Sequence, residues 1–411
     1  MSAICGLYLT NDDPAAHIHA MTAAMQHRGP DGDNTWHAAN VGLGHLLLRT
    51  ATHQRVLPLV EGDLVITADA HFDDRAALCA RLSLDDAPTL TDAALIGAAY
   101  RRWGVDCAQH LQGAFAFAIW DHAEQRLLLA RDHIGVKPVY VTQQAGRFAF
   151  ASEIKALLAL PFVSWDVDER RIVDHLILFV DDAVLTSYAD VQRLPPAHCL
   201  LLTSAGQRQW RYWSPYDIPQ VRYPRDEDYV ARFRELLEQA VTRRIPSAAR
   251  VGTTLSGGLD SSAVTAIVRD QVTGPLDTFS VVYPDVPKSD ESAYIQQVVD
   301  MGGLKPHLIR GDDKSSLLDD DHARHMIEEP HRIANLFLTW HTLQAAQQQG
   351  VRVILDGLDG DTTLSHGMGY FAEVARAGDW GRFADLIEAI RHSHDQFRGA
   401  TNTYFYREMA L

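Results

Sequence analysis

Ser256-Gly257-Gly258-Leu259-Asp260-Ser261-Ser262 follows an apolar run over residues 251–255 and precedes a helix-like run over residues 263–270. A strand that turns through two glycines into a helix gathers backbone N–H groups and the positive end of the helix dipole at one place, and the hydroxyls of Ser256, Ser261 and Ser262 add donors there. Such a place takes a phosphate. No Gly-Lys-Ser/Thr closes the loop and no lysine lies in it, so it lacks a Walker grip on a γ-phosphate and suits pyrophosphate better. Asp260 stands among the donors, and an unshielded carboxylate repels an anion, so the anion is expected to arrive with a divalent cation. The plain alternative is a serine-rich turn that only caps a helix; seven residues in strand–turn–helix context favour the phosphate.

Around this loop the second half of the chain alternates strands and helices. Apolar spacing predicts a helix over 226–244 and, after the loop, strands over 276–282, 306–309 and 351–355 with helices over 289–299, 322–327 and 334–349. That rhythm implies a doubly wound parallel sheet with its site at the carboxyl ends of the strands. A second glycine-bearing turn, Asp356-Gly357-Leu358-Asp359-Gly360-Asp361-Thr362, follows the last predicted strand and carries three aspartates, which favours metal binding over a solvated acidic turn. His366, just beyond, is either a helix-start histidine or a weak candidate for a catalytic base; the structural role is favoured.

The first half opens with an apolar stretch over residues 4–9, then His27-Arg28-Gly29-Pro30-Asp31-Gly32 as a turn. Strands are expected over 41–48 and 64–67 and a helix over 93–103, followed by the stretches 113–121 and 127–130. By themselves these pieces give an α+β domain. Three prolines in the aperiodic stretch of residues 214–224 mark a boundary, so the chain divides into residues 1–213, a linker at 214–225, and residues 226–411.

The 411 residues, 46% apolar and 22% charged, suit two full-sized globular domains. A net charge of −16 argues against nucleic acid or an anionic membrane as the main partner and leaves small molecules or a peptide. No apolar run approaches the roughly eighteen residues needed to cross a bilayer and no basic n-region opens the chain, so a cytoplasmic protein is expected. Cys5, Cys79, Cys107 and Cys199 are far apart in the sequence and indicate neither zinc nor a disulfide framework. Cys5 is expected to be a buried structural residue.

The Ser256–Ser262 heptapeptide resembles the pyrophosphate loop of the asparagine synthetase family, whose members cleave ATP to AMP and pyrophosphate while activating a carboxylate. Residues 27–32, 113–121, 131–140 and 152–157 are similar to the glutamine amidotransferase domain of the same family. The resemblance implies an N-terminal-nucleophile-hydrolase-like sandwich of two sheets between helices (αββα), followed by an α/β ATP-pyrophosphatase domain. It implies ATP and Mg²⁺, with Asp260 and Asp361 holding the metal that bridges the leaving pyrophosphate. It also implies that Leu255, Val281 and Gly357, with the serine–glycine loop, form the ATP site.

Departures from the family pattern point to a lost glutaminase. Ser2 stands where active members carry the nucleophilic cysteine, although serine serves as nucleophile in related hydrolases. The Asn-Gly-Glu that supplies oxyanion donors falls on Asp69-Ala70-His71, and a carboxylate beside a developing oxyanion raises the barrier, where loss of one donor already costs about 3 kcal/mol. The arginine expected to grip the substrate carboxylate falls within Leu46-Leu47-Leu48, with Arg49 close by. A glutamate that family synthetases use falls on Leu358, where β-lactam-forming members have tyrosine. Relatives continue well beyond this length with a lysine that contacts pyrophosphate, so a C-terminally truncated chain is expected.

An adenylating enzyme without an ammonia generator needs an amine from the substrate itself. The chain is therefore expected to resemble the lasso peptide cyclases of the family, which close an isopeptide bond between a peptide's N-terminal amine and an Asp or Glu side chain, working with a precursor peptide and a leader-removing protease. Glutamine-dependent asparagine synthesis, a β-lactam-synthetase-like reaction on a small amino acid derivative, and a scaffold that binds no ATP are the other readings.

Overall fold

The computed structural model describes residues 1–393 except residues 11, 86–88, 145, 179–181, 316–324, 331–334, 359, 361–362 and 364–367. The first half is two antiparallel sheets face to face. One carries β1 (Ala3–Leu9), β2 (Asp33–Ala38), β3 (Val41–Leu46), β8 (Tyr140–Gln144), β9 (Arg147–Ala151) and β10 (Gln192–Arg193), in the order β10-β8-β9-β1-β3-β2. The other carries β4 (Leu59–Glu61), β5 (Leu64–Phe72), β6 (Gly113–Asp121), β7 (Arg126–Arg131), β11 (His198–Thr203) and β12 (Gly206–Arg211), in the order β12-β11-β7-β6-β5-β4.

Strand alternation explains the layering, because successive side chains point to opposite faces. Ile4, Leu43, Val65, Ala118, Trp120 and Leu129 fill the space between the sheets. Alternate residues face helices: Cys5 and Leu7 pack toward α1 (Pro14–Ala24) and α4 (Ile154–Leu158). Ile66, Phe115 and Phe117 pack toward α2 (Arg75–Leu82) and α3 (Asp92–Trp103). The expected αββα order is what forms. Cys5 is wholly buried in β1, and burial pushes its thiol pKa far up, which fits the structural role expected of it. The strand expected at residues 64–67 runs on to Phe72, since pairing with β6 continues from Leu64↔Asp121 to Phe72↔Gly113. Asp69, Ala70 and His71 are consequently strand residues. A short helix, α5 (Glu169–Leu176), precedes the last strands of this half.

A turn at Pro215–Asp217 lies in the expected linker, and α6 (Asp226–Arg244) begins the second half at the predicted residue. Here β13 (Val251–Thr254), β14 (Leu276–Val282), β15 (Leu304–Arg310) and β16 (Val353–Leu355) form a wholly parallel sheet in the order β15-β14-β13-β16. Helices α6, α7 (Leu259–Gln271) and α8 (Ser292–Val299) lie toward Val264, Val268, Leu276 and Ile295. The helix Leu336–Gln348 packs on Phe279 and Val351. Helices thus cover both faces, as a doubly wound sheet requires. The chain leaves β13 in one direction across the sheet and reaches β16 on the other side, so the switch point lies between these two strands.

Candidate nucleotide site

At a switch point the loops leaving the two flanking strands diverge and open a crevice at the carboxyl ends. The two loops singled out in the sequence are those loops. The serine–glycine turn follows β13 and the aspartate–glycine turn follows β16.

Gly257 has φ +82°, and a Cβ there would lie 2.6 Å from Tyr294 Cβ and 2.8 Å from the Ile295 nitrogen, so a side chain is excluded twice over. The helix starts at Leu259, earlier than expected, with Gly258 as N-cap and no side chain capping it. That leaves the amides of the first turn and the helix dipole without an internal acceptor side chain. Ser256 Oγ and Ser261 Oγ are 3.1 Å apart, and the Ser256 N–H donates to Ser261 Oγ at 3.2 Å. Both hydroxyls therefore sit at the mouth of the turn.

Asp260, in that first turn, lies against the second loop. A Cβ on Gly357 would be 2.5 Å from the Ser261 nitrogen, and one on Gly360 would run into the Asp260 carboxyl group. The two glycines bring the acidic loop into contact with α7, which is why Asp260 and the residues after β16 share one wall. Leu255, Ser256, Gly258, Asp260, Ser261, Val281 and Gly357, all expected from the sequence, line a single cleft of about 850 Å³.

Ser262 departs from expectation. One residue further along a helix is a rotation of about 100°, and Ser262 lines a separate groove with Ala266 and Met301 instead of the cleft. Asp361 and His366, the second metal candidate and the weak base candidate, lie outside the described residues. Among the described residues no three His, Cys, Asp or Glu side chains are placed together for a metal. Asp260 and the glycine cradle around it fit a phosphate-bound Mg²⁺ in donor type, a hard cation taking carboxylate oxygen.

The rest of the cleft was not read from the sequence. Phe279, Val281 and Tyr283 line it at period two along and just past β14, a spacing that the strand pattern carries. Asn335, Leu338, Thr339 and Thr342 recur at helical spacing on the opposite wall. Leu358, where the resemblance puts a family glutamate, is 76% exposed at the cleft.

In the first half, the expected glutaminase positions come together, and the polar side chains among them are already engaged. Ser2 is buried, and its Oγ accepts the Leu48 N–H at 3.0 Å while facing the Leu48 carbonyl at 3.4 Å. Lys137 Nζ lies 2.8 Å from Asp69 Oδ1 with both side chains nearly buried. Ser2, Asp69 and Ala70 line one small pocket together with His45, Gln54 and Arg55. Arg49 is exposed and lies off this cavity, so the slipped register does not bring a guanidinium from that position into it. Burial holds the Met1 amine down at about 6 and His45 at about 4, so both lie in a desolvated setting.

Residues 1–213 match the family described as "Glutamine amidotransferase domain", and residues 232–409 match the one described as "Asparagine synthase". The chain belongs to the glutamine amidotransferase domain family, with an asparagine synthase region behind that domain. It is 31% identical over 309 residues to "Asparagine synthetase [glutamine-hydrolyzing] 3" of Bacillus subtilis, covering 70% of this chain and 50% of that protein. It is 27% identical over 424 residues to "Putative asparagine synthetase [glutamine-hydrolyzing] 2" of Methanocaldococcus jannaschii, covering 95% of this chain and 80% of that protein. The chain thus spans about half the length of the first relative. Among solved structures, glutamine phosphoribosylpyrophosphate amidotransferase from B. subtilis matches 75% of this chain and 81% of its own at 13% identity and a TM-score of 0.39, too slight a likeness to bear on the architecture. No described helix is long and apolar enough to cross a membrane.

Proposed function

We propose that the chain is an ATP-dependent, AMP-forming amide ligase whose amine comes with its substrate. The serine–glycine turn receives the pyrophosphate portion of ATP; Asp260 and Asp361 would hold Mg²⁺, which would supply positive charge beside the leaving pyrophosphate. The substrate carboxylate attacks the α-phosphorus and releases pyrophosphate. The amine then attacks the acyl carbon, the amine proton is lost, and AMP departs as the amide forms.

The Lys137–Asp69 pair beside a tied-down Ser2 carries the choice of amine. A buried Ser2 whose hydroxyl is already engaged by the Leu48 N–H favours an amine that is not drawn from glutamine. Intramolecular closure is then the simplest source, and the lasso reading follows: a peptide's N-terminal amine attacks its own activated Asp or Glu side chain. The precursor peptide and a leader-removing protease are the partners this reading requires, and the cytoplasm is the compartment where ATP is at hand. The names of the relatives favour a second reading, glutamine-dependent asparagine synthesis.

Pyrophosphate release from ATP·Mg²⁺ separates the two. Release stimulated by a leaderless precursor peptide, with loss of one water from the peptide mass, supports the cyclase. Release stimulated by aspartate, with ammonia formed from glutamine, would falsify it.

A further inference from the structure

Glu328 and Glu329 lie in the described stretch of residues 325–330, between β15 and the helix Leu336–Gln348, and both reach across to the first half of the chain. The Glu328 carboxylate accepts the N–H of Ile154 at 3.0 Å and of Lys155 at 2.6 Å, the first two residues of α4. The N-cap of α4, Glu153, gives no side-chain cap, because its carboxylate is held by His27 at 3.0 Å and Arg28 at 2.5 Å. The cap comes instead from the other half. Glu329 accepts the Ser187 N–H at 2.8 Å and its hydroxyl at 3.2 Å, and pairs with Arg193. The Tyr188 hydroxyl donates to the Glu328 carbonyl at 3.3 Å.

Side-chain exposure is 8% for Glu328 and 13% for Glu329. A carboxylate this far from water is tolerated only when its oxygens are satisfied, and here the hydrogen bonds named come from the first half. The other described contacts across the halves fall elsewhere: His71 donates to the Arg243 carbonyl at the end of α6, Arg243 and Arg244 pair with Asp74 and Asp73, Thr50 and Thr52 meet Ala248 and Ser247, and Asp31 meets Arg352 just before β16. None of these reaches the stretch ahead of Asn335.

We infer that Glu328 and Glu329 are positioning residues through which the glutaminase-like half sets one wall of the nucleotide cleft. Asn335, Leu338, Thr339 and Thr342, on that wall, begin a few residues beyond them. The first half is thereby retained as a clamp on the synthetase half, which gives a folded glutaminase-like half a role in the neighbouring chemistry. The nucleotide part of this inference rests on the function proposed above; the anchoring part does not.

Hydrogen exchange and calorimetric titration with ATP·Mg²⁺, both on the full chain, test it. Glu329→Gln and, from the other half, Arg193→Met are each expected to speed exchange in Leu336–Gln348 and to raise the ATP Kd about fivefold or more, with exchange in β5 and β6 unchanged. The double variant is expected to be no worse than either single change, because both break one contact. Glu328→Gln is expected to act in the same direction, and Glu329→Asp gives the same readout if a harsher variant fails to fold. Unaltered exchange in Leu336–Gln348 across these variants overturns the anchoring. Faster exchange with an unchanged Kd overturns its link to the cleft. A wild-type chain that binds no ATP refutes the proposed function instead, and exchange still decides the anchoring.

Discussion

Lys137 Nζ sits 2.8 Å from Asp69 Oδ1 in the interior of the first half, next to Ser2. A buried carboxylate is costly alone, and the lysine makes it tolerable.

Removing one partner of this pair leaves an uncompensated buried charge. Lys137→Met is expected to destabilise the first half by about 3–5 kcal/mol, and Asp69→Leu added to it to restore most of that. Urea denaturation midpoints of the two variants check this.

Gly360 and Gly357 bring the acidic loop against Asp260. Gly360→Ala and Gly357→Ala each force a methyl into that contact, a strain of about 1–3 kcal/mol. Nucleotide binding is expected to weaken and the urea midpoint of the second half to fall by an amount that matches this strain, and calorimetry with ATP·Mg²⁺ beside urea denaturation measures both.

Asp260 is the described carboxylate expected to hold the metal. Asp260→Asn is expected to slow pyrophosphate release about a hundredfold or more, by loss of Lewis-acid stabilisation. It is also expected to abolish the Mg²⁺ dependence of ATP binding. Binding that stays equally Mg²⁺-dependent in the variant removes Asp260 from the metal site.

His45 is buried, and its Nδ1 accepts the Leu57 N–H at 3.1 Å, so the folded chain holds it neutral and at about 4 instead of the ordinary 6.5. As pH falls the unfolded chain takes up this proton first. The stability from neutral His45 is whole above 6.5 and lost progressively down to about 4, to a limit of about 3 kcal/mol. Melting temperature is expected to fall over that window, and less steeply in His45→Asn.

Much of this was legible in the chain itself. The β14 bounds and the start of α6 were predicted to the residue, because apolar patterning along a strand and helical spacing are local properties. The serine–glycine turn carried its chemistry in its residue types. Ser262 shows the limit: its place depended on where α7 begins, and the early start at Leu259 rotates it off the cleft.

Sequence alone pointed to the two-part division, a serine–glycine turn suited to phosphate, and Ser2 where the resemblance expects a nucleophile, since each is written in residue types at close spacing. Only the tertiary structure decided that Lys137 neutralises Asp69, that glycines seat the acidic loop on Asp260, and that Glu328 caps a helix of the first half while Glu329 binds Ser187 and Arg193 there. These partners are 68, about 100 and more than 140 residues apart or nearly so, and contacts at such separation follow from how packed layers meet and leave no periodic trace in the chain.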